Sequence, residues 1–134
     1  VNNDSIGQYL SRKNYDGSSS FVTNKIKDGY YQFKTKSLGK FYIDYDTIAP
    51  SIVRNKRVDY KKQIQYYIKD KETGIKNYEG KINNQWALFE YEPKLSKIFF
   101  SNDTLIKKNK INRIEIKLND LVGNSTTVID SLQF

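Results

Sequence analysis

Strict alternation of apolar and polar residues is the feature that most constrains how this chain can fold. In the segment NRIEIKLND, residues 112–120, the apolar residues Ile114, Ile116 and Leu118 are separated by charged residues. A period of two places every second side chain on the same face of a β-strand. The segment therefore predicts a strand with one face against a core and the other in solvent.

The same period recurs along most of the chain and predicts an all-β, antiparallel fold. Short alternating segments occur at 21–26, 29–37, 40–46, 62–70, 75–82, 85–91, 97–101 and 125–134. Eleven Tyr and seven Phe favour the half-buried surface of a sheet. Asn83 and Asn84 stand between two of these segments and predict a two-residue hairpin turn, because Asn tolerates left-handed backbone. No segment of useful length has the period of an amphipathic helix.

The segment DTIAPSI, residues 46–52, predicts a domain boundary. Pro50 cannot continue a central ladder, so this segment is a linker or the entry to an edge strand. We expect residues 47–134 to form an immunoglobulin-like β-sandwich, with Trp86 in mid-strand filling its core. Residues 1–46 are predicted to supply a few strands of a preceding β-unit, after a polar, turn-rich stretch over 1–20.

Composition excludes several kinds of chemistry. The chain has no His and no Cys, so imidazole acid–base catalysis, thiol nucleophiles and the usual zinc sites are absent, and we expect no enzymatic activity and no cofactor. The net charge is +8, but nineteen Lys stand against four Arg, which argues against a dedicated nucleic-acid reader. No stretch is long and apolar enough to predict a transmembrane segment. The positive charge is better suited to an anionic envelope surface.

Acidic residues at two strand ends allow two interpretations. Asp70, Glu72 and Asp120, with loop carbonyls, are candidate calcium ligands, since this ion binds oxygen atoms. In the other interpretation, which we favour, Asp70 and Asp120 accept hydrogen bonds from the backbone of their own turns. Two separated turns fall short of the ligand number that calcium needs, so the sequence predicts no metal, and Gly74, Gly123 and Asn124 shape the turns.

Tyrosines form a second group of candidate binding residues. Exposed aromatic rings on sandwich modules can stack on sugars, and Tyr67, Tyr78 and Tyr91 are the candidates here. Alternation places Tyr66 inward and Tyr67 outward, so about half of the tyrosines in the strands belong to the core.

Several motifs together resemble a known family. They are Asp46-Thr47 with Pro50, then Asp70-x-x-Thr73-Gly74-Ile75, then Trp86-x-Leu88-Phe89-Glu90-Tyr91, and finally Asp120-x-x-Gly123-Asn124. Over residues 37–134 the chain resembles the C-terminal immunoglobulin-like domain of bacterial cell-surface metallopeptidases of the lysostaphin-like murein endopeptidase class. Such peptidases hold zinc through His-containing motifs, so none of their catalytic residues has a counterpart here.

The resemblance implies a non-catalytic accessory module of an exported bacterial cell-wall metallopeptidase, located in the periplasm, at the cell surface or in the medium. Its expected partners are peptidoglycan or an anionic envelope glycan, together with neighbouring domains of a longer parent chain. A structural spacer, or an adhesion or carbohydrate-binding domain of an exported protein, is the alternative. Both interpretations predict a protein that binds or positions, without catalysis.

Overall fold

The computed structural model describes residues 7–101 and 104–134, and the regular secondary structure of these residues is almost entirely β. The strands are β1 Gln8–Lys13, β2 Ser19–Thr23, β3 Ile26–Lys27, β4 Tyr30–Tyr31, β5 Phe41–Tyr45, β6 Ser51–Arg54, β7 Gln63–Lys69, β8 Ile75–Ile82, β9 Gln85–Ala87, β10 Glu90–Glu92, β11 Lys97–Ser101, β12 Ile111–Asp120 and β13 Ser125–Gln133. A short 3-10 helix, Pro93–Leu95, separates β10 from β11. The predicted all-β, antiparallel fold is confirmed.

Two four-stranded antiparallel sheets form the sandwich. Their strand orders are β10-β11-β7-β6 and β13-β12-β8-β9. Side chains from both sheets share one core, and the predicted inward residues Ile64, Tyr66, Ile68, Ile114, Ile116 and Leu118 are all buried in it. β6 follows Pro50 and is an edge strand, as its sequence predicted.

The preceding residues form a separate three-stranded sheet of order β2-β1-β5, beside the small hairpin β3-β4. Its central strand is β1, which lies inside the stretch over 1–20 that we predicted to be polar and turn-rich. Tyr9 and Leu10 of β1 are buried, and the Tyr9 ring stacks on Phe21 at 5.6 Å. Only two residues of the predicted 29–37 strand, Tyr30–Tyr31, are in a strand.

Turn residues adopt the conformations that their types favour. Asn83 and Asn84 have φ of 51° and 67°, which is the left-handed backbone that a two-residue hairpin between β8 and β9 requires. Gly74 and Gly123 also have positive φ, at 98° and 100°, where a side chain would be strained. Pro50 is buried, and its carbonyl accepts a hydrogen bond from the Thr126 hydroxyl at 2.5 Å.

The segment predicted to be one strand over 85–91 is divided between the two sheets. β9 pairs with β8, whereas β10 pairs with β11 in the opposite sheet, so the chain crosses the sandwich at Leu88 and Phe89. Phe89 enters the core and is 1% exposed, with its ring 5.4 Å from that of Phe100.

The prediction that Trp86 fills the core is wrong. Trp86 is 63% exposed, because it lies opposite Lys81 on the outer face of the sheet. The inward position of this short strand belongs to Ala87, which lies opposite Gly80. Phe89 therefore has the role that the sequence assigned to Trp86.

Candidate functional site: an acidic junction and an aromatic hollow

Three aspartates from distant parts of the sequence converge where the first sheet meets the sandwich. Asp46 follows β5, Asp70 follows β7, and Asp120 ends β12. One carboxylate oxygen from each lies within 4.8 Å of those of the other two. We call these three residues the acidic junction. Asp46 and Asp120 are 1% and 0% exposed, and Asp70 is partly buried.

Asp70 and Asp120 make the hydrogen bonds predicted for turn caps. Asp70 Oδ2 accepts from the backbone N–H groups of Glu72 at 3.2 Å and Gly74 at 2.7 Å. Asp120 Oδ1 accepts from the N–H groups of Val122 at 2.9 Å and Asn124 at 2.8 Å. Each carboxylate thus satisfies donors that a tight turn leaves without a backbone partner.

Asp46 is the member of the acidic junction that the sequence did not identify as a site residue. Its Oδ2 accepts from the Thr73 hydroxyl at 2.8 Å, and its Oδ1 accepts from the Ile48 N–H at 3.0 Å. The side-chain amide of Asn124 donates to the Asp46 carbonyl at 2.9 Å and to Asp120 Oδ2 at 2.7 Å. In the sequence, Asp46 is visible only as the first residue of the boundary segment DTIAPSI. An Asp whose side chain accepts from the N–H two residues later, here that of Ile48, is typical of an ordinary turn.

Glu72, the third calcium candidate from the sequence, is exposed and lies outside the group of converging carboxylates. It still contributes to the negative field around the acidic junction. Burial, followed by the charges of Asp44, Glu72, Asp46 and Asp70, raises the pKa of the Tyr9 hydroxyl. The ionised form of a phenol is disfavoured next to carboxylates that are themselves charged.

Two of the three candidate tyrosines meet at one edge of the sandwich. The rings of Tyr78 and Tyr91 are 6.1 Å apart and tilted by 56°. They lie opposite Leu118 and Ile98, which are buried, so both rings lie on the inner side of their sheets. The Tyr78 hydroxyl donates to the Phe89 carbonyl at 2.7 Å, and burial raises its pKa.

These two rings belong to an open hollow of about 520 Å³, which we call the aromatic hollow. Its lining also includes the lysines Lys69 and Lys76 and the turn residues Asp70 and Gly74. Aromatic faces with cations beside them can contact the apolar face of a sugar ring and its anionic substituents.

Tyr67 is separated from the other two tyrosines. It lies opposite Lys97 and Val53 on the outer face of its sheet, and its hydroxyl accepts a hydrogen bond from the Asn55 amide at 3.2 Å. Tyr67 and Tyr91 are equally exposed, at 43% each, so they form a matched pair for mutagenesis.

No known family model and no curated protein sequence matches the chain. Among the described residues, no helix is long and apolar enough to span a membrane.

Proposed function

We propose that this chain is a non-catalytic accessory module that positions an exported bacterial cell-wall metallopeptidase at the envelope. The observation that carries the proposal is the aromatic hollow, where the Tyr78–Tyr91 pair lies beside Lys69 and Lys76. The likeness of the 37–134 motifs to the C-terminal domain of lysostaphin-like peptidases supports the same interpretation.

The ligand class that fits the aromatic hollow is an anionic envelope glycan. Tyr91 offers a half-exposed ring for stacking on a sugar, and Tyr78 is held in place by its hydrogen bond to Phe89. Lys69 and Lys76 are exposed cations that attract carboxylate or phosphate groups. The net charge of +8 adds a long-range attraction that salt screens.

A structural spacer is the second candidate, and the contacts between the first sheet and the sandwich favour it. The Gly7 N–H donates to the Val122 carbonyl at 3.3 Å, and the Asn24 amide donates to the Leu121 carbonyl at 2.9 Å. Such contacts fix the direction of one unit relative to the next, as a spacer requires.

Retention on purified peptidoglycan separates the two candidates. We expect the chain to be retained at about 0.05 M sodium chloride and to be released in part at about 0.3 M, since screening weakens attraction between exposed charges. Peptidoglycan stripped of its phosphate polymers tests whether the wall glycan itself or the attached anionic polymer is bound. An unretained chain would support the spacer.

The matched tyrosines test whether the aromatic hollow is the binding surface. Tyr91→Ala should raise the dissociation constant for peptidoglycan about fivefold, because it removes a stacking contact worth about 1 kcal/mol. Tyr67→Ala removes an equally exposed ring from the outer face and should leave retention unchanged. Equal losses of peptidoglycan retention in the two variants would contradict the proposal that the aromatic hollow is the binding surface.

A further inference from the structure

The carboxylates of the acidic junction take no part in the ion pairs of the described residues. Within residues 7–101 and 104–134, the ion pairs of arginine and lysine join other acids, namely Asp130, Glu79 and Glu115. No lysine or arginine of the described chain forms an ion pair with Asp46, Asp70 or Asp120. Buried carboxylates are ordinarily paired with a cation or bound to a metal, because removing a charge from water is unfavourable.

One oxygen in the acidic junction also lacks a hydrogen-bond donor. Asp70 Oδ1 is enclosed by protein atoms and has no hydrogen-bond partner among residues 7–101 and 104–134, although Oδ2 of the same carboxylate accepts two N–H groups. Both oxygens of Asp46 and both of Asp120 accept hydrogen bonds. A buried oxygen without a donor points to a ligand that supplies positive charge at that atom.

We propose that the acidic junction is a calcium site in which Asp46, Asp70 and Asp120 each contribute a carboxylate oxygen. Calcium binds oxygen ligands at about 2.3–2.6 Å, so two ligands of one ion are at most about 4.6–5.2 Å apart. The three oxygens lie within 4.8 Å of one another, so one calcium ion can reach all of them. The three side chains supply part of a shell of six to eight oxygens, and water completes it.

The chemistry of the ligand set favours calcium over other common divalent ions. All three ligands are hard carboxylate oxygens, whereas zinc and copper prefer the His and Cys side chains that this chain lacks. Magnesium requires oxygens at about 2.0–2.1 Å and retains several waters, so it is ordinarily bound through one or two carboxylates rather than three.

A calcium ion at this position would join the first sheet to the sandwich. Asp46 belongs to the segment between β5 and β6, whereas Asp70 and Asp120 end strands of the two opposite sheets. The Asp46 N–H also donates to the Gly7 carbonyl at 2.8 Å, just before β1. Because the three ligands are 24 and 50 residues apart in sequence, only the folded chain brings them together.

Thermal unfolding of the whole 134-residue chain tests the site. At a calcium concentration about tenfold above its dissociation constant, the ratio of folded to unfolded chain should rise about 11-fold, because the ligand binds only the folded state. For a chain of this size the melting temperature should rise by about 5 °C relative to the chain with chelator. Calcium titration by calorimetry should give one ion per chain.

Two asparagine variants separate a metal site from a turn cap. Asp70→Asn keeps an oxygen for the Glu72 and Gly74 N–H groups but removes one charge, so the calcium shift should disappear. Asp59→Asn changes an exposed aspartate that caps the Lys61 N–H at 3.0 Å, and its calcium shift should equal that of the wild type. With chelator, Asp70→Asn should melt no lower than the wild type, because it relieves repulsion between like charges.

Three results would overturn the proposal. The first is a calcium shift below about 1 °C together with no heat of binding, which would leave the acidic junction as a set of turn caps. The second is an unchanged calcium shift in Asp70→Asn. The third is an equal rise in melting temperature with magnesium at the same concentration, which would contradict the assignment of the site to calcium. Peptidoglycan retention is measured separately, so this proposal and the proposed function can fail independently.

Discussion

Gly80 allows a quantitative test of how the core of the sandwich is packed. It lies in the middle of β8, opposite Ala87 on one side and Ile116 on the other. The ring of Phe89 rests directly on its Cα. A Cβ added at Gly80 would lie 2.5 Å from Phe89 Cε2 and closer still to Cδ2.

We expect Gly80→Ala to lower the free energy of unfolding by about 2 kcal/mol. The Phe89 ring has little room to move, since its centroid is 6.3 Å from that of Tyr66 and 5.4 Å from that of Phe100. An added methyl group in such a core costs up to about 3 kcal/mol. Ala loses less backbone entropy on folding than Gly, which offsets this cost by about 0.5–1 kcal/mol. The offset applies here because φ at Gly80 is not positive, so Ala adopts the same backbone without strain.

Urea unfolding followed by circular dichroism measures this loss, and a double-mutant cycle assigns its cause. In a Phe89→Leu background the clash is relieved, so Gly80→Ala should cost less than about 0.5 kcal/mol there. Gly39→Ala is the control, because its added Cβ meets only the flexible Arg12 side chain at 3.4 Å. Equal losses from Gly80→Ala in both backgrounds would refute the packing argument.

Two further predictions concern the burial of Trp86 and Phe89 and the ionisation of the buried Tyr66. Trp86→Ala should cost less than about 1 kcal/mol and Phe89→Ala about 3–5 kcal/mol in urea unfolding, and the reverse order would place the tryptophan in the core. Burial, and then the hydrogen bond to Asp130, strongly raise the pKa of Tyr66. Above pH 10 the unfolded chain therefore loses a proton that the folded chain keeps, and stability falls by up to about 1.4 kcal/mol per pH unit. Tyr66→Phe should reduce this slope without abolishing it, since Tyr9 and Tyr78, whose pKa values are also raised, keep their own contributions, and an unchanged slope would contradict the role of Tyr66.

The elements that the sequence predicted correctly depend on local information. In β12, alternation over nine residues fixes which side chains face the core, since a slip of one residue would expose all of them. The turn at Asn83 and Asn84 was predictable for a similar reason. Its two residues are among the few types that adopt left-handed backbone without large strain.

The incorrect predictions concern structural features that depend on residues distant in sequence. From Gln85 to Tyr91 the sequence alternates like one strand, and no residue type marks the crossing between sheets at Leu88. The burial of a residue in β1 depends on β2 and β5 on either side of it, and β5, Phe41–Tyr45, is distant from β1 in sequence. Composition made residues 1–20 look polar and turn-rich, and the sequence of β1, Gln8–Lys13, has no alternation of apolar residues that would mark a strand.

The acidic junction shows why a site can be missed although its members are visible. Asp70 and Asp120 were identified as a pair of turn caps, and their hydrogen bonds agree with that role. The third carboxylate, Asp46, changes the physical problem, because it brings one more carboxylate oxygen within 4.8 Å of those of Asp70 and Asp120. Asp70 also lines the aromatic hollow that contains Tyr91. If a cation bound at the junction changes the affinity of the aromatic hollow for its ligand, the ligand must change the affinity of the junction for the cation by the same factor.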